Sequence, residues 1–232
     1  MRDGGGGGLT SPAVAVSLKV HLAGLIVPVG DGAAKSLTFT EADETTVVLT
    51  FKDGTAEVRL TGGGLVQVPG KKGVIVTGTN VTLADIDLIG TSITSALTVK
   101  TKGGDGRATV ANLTADGDLK SVTARRLDFT GDVDLAGTVG KLTLGNIADD
   151  HVIDIGGSKL SKAIKITLGR VANTILNCSS PIKSLTVIEW LDSNAVAGAV
   201  NASVIGKLTA KGAKANAKKG TAFSAGNFQA DL

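Results

Sequence analysis

Ala96-Leu97-Thr98-Val99, Ser121-Val122-Thr123-Ala124, Lys141-Leu142-Thr143-Leu144, Lys165-Ile166-Thr167-Leu168, Ser184-Leu185-Thr186-Val187 and Lys207-Leu208-Thr209-Ala210 are six versions of one phrase. Each carries an aliphatic residue, a threonine, and then an aliphatic residue or alanine. From threonine to threonine the steps are 25, 20, 24, 19 and 23 residues. Self-similarity at a period of about 22 residues marks a solenoid, in which each repeat packs only against its neighbours.

Working outward from the phrase, Val122, Leu142, Ile166 and Leu185 are each followed five positions later by an apolar residue: Leu127, Ile147, Val171 and Trp190. Two further alternating pieces, Val133-Asp134-Leu135 and Ile153-Asp154-Ile155, lie beyond. All have period two, the pattern of a strand with one buried face, and all are too short for helices. Gly, Asn, Asp and Ser fill the gaps, as turns require. The reading is an all-β fold: a single-stranded, right-handed parallel β-helix, or β-solenoid. It has two or three strands per coil, about 4.8 Å between coils, and an N-terminal β-hairpin leader. Because the flanking aliphatics face inward, the threonines should form an external ladder, Thr98 to Thr209, that supports strand pairing.

Composition agrees. Hydrophobic residues make up 42% of 232, enough for one elongated domain, but with five Phe, one Trp and no Tyr the core must be aliphatic. The 32 glycines imply many turns. A net charge of +3 with so few aromatics argues against nucleic acid as a partner. The single Cys178 excludes an internal disulfide framework and reads as a small core residue. The apolar run 12–29 is broken by Lys19 and His21, and it alternates through Val14, Val16, Leu18, Val20 and Leu22. It reads as a strand rather than an export signal or a membrane span.

In order, residues 1–8 form a flexible glycine-rich leader, and 9–72 a β-rich cap. The cap's clearest hairpin joins Thr46–Phe51 to Thr55–Leu60 across Lys52-Asp53-Gly54, since Asp-Gly between alternating runs is a strong hairpin signal. Residues 73–212 are the coils. Residues 213–232 are a basic, flexible stretch and the start of a further coil. With no polar end cap in sight, the sequence reads as part of a longer chain, prone to end-to-end self-association.

Several of these segments resemble a known family. Ser36-Leu-Thr-Phe-Thr-Glu-Ala-Asp43, the Lys52-Asp53-Gly54 turn, Leu97-Thr-Val99, Gly103-Gly-Asp-Gly-Arg107, Lys120-Ser-Val-Thr123, Gly140-Lys-Leu-Thr-Leu-Gly145 and Ile182-Lys-Ser-Leu-Thr-Val187 are similar to β-helical repeat modules of very large secreted bacterial surface proteins. The resemblance covers about residues 36–212. It implies an extracellular or cell-surface setting and supplies no catalytic motif.

Two residues before each threonine stand Ala96, Ser121, Lys141, Lys165, Ser184 and Lys207. Two after stand Lys100, Arg125, Gly145, Gly169, Ile188 and Lys211. Neither column holds an acid. Lys100, Arg125, Lys141, Lys165, Lys207 and Lys211 are therefore the candidate ligand-binding stripe, suited to acidic polysaccharide or to other surface proteins. The plainer reading is a solvated face whose lysines discourage aggregation. Flanking lysines also spoil the flatness that an ice-binding threonine ladder needs.

Asp134 and Asp154 each fall twelve positions after their coil's anchor and should stack on adjacent coils, with Asp132 and His151 near them in sequence. Such a pair would be the metal site, for Ca²⁺, or the acid–base pair of a polysaccharide lyase or hydrolase. The coils supply one Trp and no sugar-stacking Tyr, so two exposed aspartates at polar positions is the simpler reading. Gly103-Gly104-Asp105-Gly106 does not recur as a calcium-binding array would, and no phosphate loop, Cys/His metal spacing or nucleophile elbow is present. The expectation is a noncatalytic structural or adhesive module without a cofactor. The alternative is a polysaccharide-active β-helix enzyme using the stacked aspartates.

Overall fold

The computed structural model describes residues 24–157, 162–192, 198–215 and 223–232. The leader 1–8, the strand read at Val14–Leu22 and part of the basic stretch after Lys211 lie outside the described residues. What is described is a parallel β-solenoid of about five coils with no helix.

Five strands precede the coils: β1 (Leu25–Gly30), β2 (Leu37–Thr40), β3 (Thr46–Lys52), β4 (Thr55–Pro69) and β5 (Val74–Ile89). The coils follow as β6 (Ala96–Lys102), β7 (Ala108–Val110) and β8 (Asn112–Ala115), then β9 (Leu119–Ala124), β10 (Leu127–Phe129) and β11 (Val133–Leu135). The third has β12 (Val139–Leu144) and β13 (Val152–Ile155), with Ile147 alone bridging between them. The fourth has β14 (Ile164–Thr167), β15 (Arg170–Ala172) and β16 (Ile175–Cys178), and the fifth β17 (Ile182–Val187), β18 (Glu189–Leu191) and β19 (Ala199–Ala202). Strand β20 (Leu208–Ala210) opens a sixth.

The strands stack in three columns. The threonine face is β6-β9-β12-β14-β17-β20, all parallel, with Thr98, Thr123, Thr143, Thr167, Thr186 and Thr209 in register. The middle face runs β7-β10, Ile147, β15-β18 and Phe228. The aspartate face begins with the end of β5 and continues β8-β11-β13-β16-β19, closing on Asp231. Leucine, isoleucine and valine point inward on every column, and Leu113, Leu135, Leu142, Ile153, Ile166 and Leu185 are wholly buried. In the first coil the extra residues 103–107 lie between β6 and β7, so the strands keep their register. Cys178 is buried in this core, its Sγ donating to the Ser180 carbonyl (3.1 Å), and burial pushes its thiol pKa up.

The first coil is closed off by the preceding strands. β3 pairs antiparallel with β6, β2 pairs antiparallel with β3 and parallel with β5, and β5 feeds the aspartate face. The sheet thus wraps round the end as one band, and head-to-tail stacking on the β6 and β8 edges is blocked.

The hairpin expected across Lys52-Asp53-Gly54 does not form. β3 pairs with β2 and β6, whereas β4 pairs with β1 and β5. Asp53 (φ 57°) and Gly54 (φ 124°) form a corner that sends the chain from one side of the prism to another. The Gly54 N–H donates to Asp31 Oδ2 (2.8 Å), and Ser95 Oγ donates to the Asp53 carbonyl. Left-handed backbone suits a corner as well as a hairpin, so Asp-Gly marks the turn but not the partners. The antiparallel connections that do form are β2–β3 and the long β4–β5 arm, whose ladder slips register at Thr61–Gly63 and Gly63–Val66.

Candidate functional site

The three faces differ sharply in charge. The strands of the threonine face carry Lys100, Lys102, Lys120, Lys141, Lys165 and Lys183 and no acid. The aspartate face, from Asp85 of β5 onward, carries Asp85, Asp87, Asp134 and Asp154 and no Lys or Arg. The middle face neutralises itself: Arg107 forms a two-point pair with Asp128, and Arg170 Nε donates to Glu189 Oε1 at 2.6 Å. Period two puts these residues outward while their neighbours fill the core.

On the threonine face Lys141 and Lys165 are direct register partners, flanked by Ser121 and Ser184, and both are exposed. Lys207 continues that column beside Ser184 and is exposed too, its carbonyl accepting from the Leu185 N–H (2.8 Å). The second column expected from sequence is interrupted. Gly145 and Gly169 are buried, Gly145 with its N–H on the Leu127 carbonyl (3.0 Å) and Gly169 with its N–H on the Gly145 carbonyl (2.7 Å). A Cβ on Gly145 would sit 2.3 Å from the Leu127 carbonyl oxygen, so the backbone passes too close for a side chain. Lys100 leaves the column as well: β6 and β9 part after Thr98–Thr123, and Lys100 lies opposite Val48 of β3. The six cations are thus placed in three positions: Lys141, Lys165 and Lys207 share one column, Arg125 and Lys211 stand at a corner, and Lys100 lies beside β3.

That corner is a groove of about 800 Å³ between the threonine and middle faces. Its floor includes Thr167, Thr186, Leu168 and Ile188, and one wall is the loop 103–107. Lys102, Arg125, Arg126 and Lys211 stand along it with Asp105 as an acid in the wall. Arg126 Nη1 donates to the Gly106 carbonyl (3.3 Å). Lys102 and Arg126 were not among the sequence candidates: Lys102 keeps the alternation but lies four residues after Thr98, beyond the two columns that flank the threonines, and Arg126 lies off the alternation; the adjacent Arg125-Arg126 pair at a corner was the available signal.

The loop 103–107 is itself pinned to the β2–β3 turn. Asp43 accepts from the backbone N–H groups of Thr45 (2.9 Å) and Asp105 (3.1 Å) and from Thr45 Oγ1 (2.7 Å). The Asp105 and Thr45 backbone bonds, with help from the Thr45 hydroxyl, hold the Asp43 carboxyl down at about 2. Next to it, burial, then Asp43, then Asp105 push Glu41 up to about 7, against a backbone hydrogen bond from Thr109.

Asp134 and Asp154 are neighbours in the ladder Asp87, Thr114, Asp134, Asp154, Asn177, Asn201. Thr114 donates to Asp87 (2.7 Å), Asn177 to Asp154 (2.6 Å) and Asn201 to Asn177 (2.8 Å). Neither aspartate lines the groove. His151 Nδ1 is 3.4 Å from Asp132 Oδ1, which also accepts the Val152 N–H (2.9 Å). Among the described residues no three His, Cys, Asp or Glu side chains gather as a metal site, and no helix is long and apolar enough to cross a membrane. Comparison with family models, with curated proteins and with solved structures gives no match.

Proposed function

We propose that the chain is a noncatalytic structural or adhesive module of a bacterial extracellular or cell-surface protein, and that its corner groove holds acidic polysaccharide. One observation carries the reading: Lys102, Arg125, Arg126 and Lys211 line one groove against a single acid among the described residues, Asp105, beside a sheet face whose strands carry no acid. Cations of one sign along a cleft raise the local concentration of a polyanion and speed its capture. Threonine hydroxyls on the groove floor offer neutral hydrogen-bonding partners to sugar. The surface setting rests on the sequence resemblance.

The test is retention on immobilised dextran sulfate and polygalacturonate. The expected result is retention at about 50 mM NaCl that is lost at about 0.5 M, where screening shortens electrostatic reach to a few ångströms. Arg125→Glu with Lys211→Glu should abolish it. Unchanged retention by that double variant overturns the reading.

The enzymatic alternative draws support from Asp134 and Asp154 being register partners. It requires substrate on the aspartate face rather than in the groove. Depolymerisation of an acidic polysaccharide that Asp134→Asn and Asp154→Asn both remove would establish it in place of the adhesive reading.

A further inference from the structure

Lys141 and Lys165 are one coil apart on the threonine face, and Asp134 and Asp154 are one coil apart on the aspartate face. Asp134 and Lys141 lie on the consecutive strands β11 and β12, and Asp154 and Lys165 on the consecutive strands β13 and β14. Both faces inherit the same coil-to-coil step of about 4.8 Å, because one backbone builds both. The acidic column of one molecule is therefore spaced to match the basic column of another. All four side chains are exposed.

We propose that copies of this chain associate side by side, the threonine face of one against the aspartate face of the next, with Lys141 and Lys165 meeting Asp134 and Asp154. A second copy is the occupant because it carries the same coil-to-coil charge spacing with the opposite sign. The contact joins two different patches, so it is heterologous and builds chains or rings rather than stopping at a two-fold dimer. Five coils by about five residues give a face of about 400 Å², or about 800 Å² buried in total, below the size of stable complexes. Association is accordingly reversible, favoured at high local concentration and sensitive to salt. This goes beyond the polysaccharide reading and uses different cations from those of the corner groove.

Sedimentation velocity on the full chain tests it, over a concentration series up to about 0.5 mM, at about 20 mM and about 0.5 M NaCl. The weight-average sedimentation coefficient should rise with concentration at low salt only. Lys141→Glu/Lys165→Glu and Asp134→Lys/Asp154→Lys should each stay monomeric alone, with unchanged circular dichroism, and associate when mixed in equal amounts. A wild-type chain that is monomeric throughout at low salt overturns the proposal. So does association that survives high salt, association that either variant retains alone, or a mixture that stays monomeric. Dextran sulfate retention by Asp134→Lys/Asp154→Lys is read in parallel. Its loss counts against the groove reading, and loss of self-association does not.

Discussion

The rings of Trp190 and Phe228 meet with centroids 5.6 Å apart and planes inclined at 58°. Trp190 is wholly buried in β18, and its backbone donates to the Asn227 carbonyl (2.8 Å) and accepts from the Gln229 N–H (3.0 Å). Ser224 Oγ adds a bond to Glu189 Oε2 at 2.6 Å. Residues 223–232 thus continue the middle and aspartate faces. Removing the partly buried Phe228 ring, as Phe228→Ala, should cost about 1–2 kcal/mol and expose the chain's one tryptophan. The expected readout is a red-shifted emission together with a lower denaturation midpoint. Unchanged emission would place the 223–232 segment away from β18.

Thr143 is the one ladder threonine that is buried, 3% exposed, and its Oγ1 has no hydrogen-bonding partner among the described residues. An unsatisfied buried hydroxyl costs stability, so the near-isosteric Thr143→Val should raise stability by about 1 kcal/mol in urea denaturation. Its neighbour Leu144 is 1% exposed and faces the core. Leu144→Asp buries an unpaired carboxylate and should cost several kcal/mol or abolish the cooperative transition. Equal stability of the Leu144 variant would reverse the inward and outward assignment of the strand.

Gly54 holds the corner between β3 and β4 at φ 124°, and a Cβ there would meet the Ile89 carbonyl oxygen at 2.8 Å. Gly54→Ala should therefore destabilise the cap by about 1–3 kcal/mol. Hydrogen exchange should quicken in β1 to β6 before the later coils. Uniform exchange, or no loss of stability, would show that this corner is not strained.

Glu41 gives a pH dependence with a definite sign. Its folded pKa of about 7 lies above the ordinary carboxyl value of 4.5, so between those pH values the native state holds a proton that the unfolded chain has lost. Stability from this group falls as pH rises from about 4.5 to about 7. Asp43 works in the other direction: its folded value of about 2 lies below 3.8, so its contribution is present above 3.8 and is lost as pH falls through about 2. Glu41→Gln should melt higher than the parent at pH 8, and the gain should vanish near pH 4. A gain independent of pH would sink this assignment.

Local pattern made the coils legible. Two-residue alternation and a recurring threonine set the register of all six threonine-face strands, and a fixed offset placed Asp134 beside Asp154. What stayed hidden depends on long-range partners. Lys52-Asp53-Gly54 announces a turn, yet whether β4 returns along β3 is decided by β1 and β5. Lys100 fits the column by count, but β6 stays with β3 beyond Thr98 while β9 bends away. Gly145 and Gly169 look like blanks in a column, although close backbone packing is their role there. The groove needs a corner and a loop brought together from residues 101–107 and 211, and no spacing rule reports that.

The continuous band of β5, β2, β3 and β6 also sets an order of events. It is made from the earlier part of the chain and offers ready edges on β5 and β6, to which β8 and β9 add in parallel. Every later coil needs the one before it as a template, and each pays its loop-closure entropy over only about 20 residues. A ribosome delivering this chain from its N-terminus would release the template first and then each coil as its docking edge became available. Growth would run one way, like winding thread onto a spool already fixed at one end.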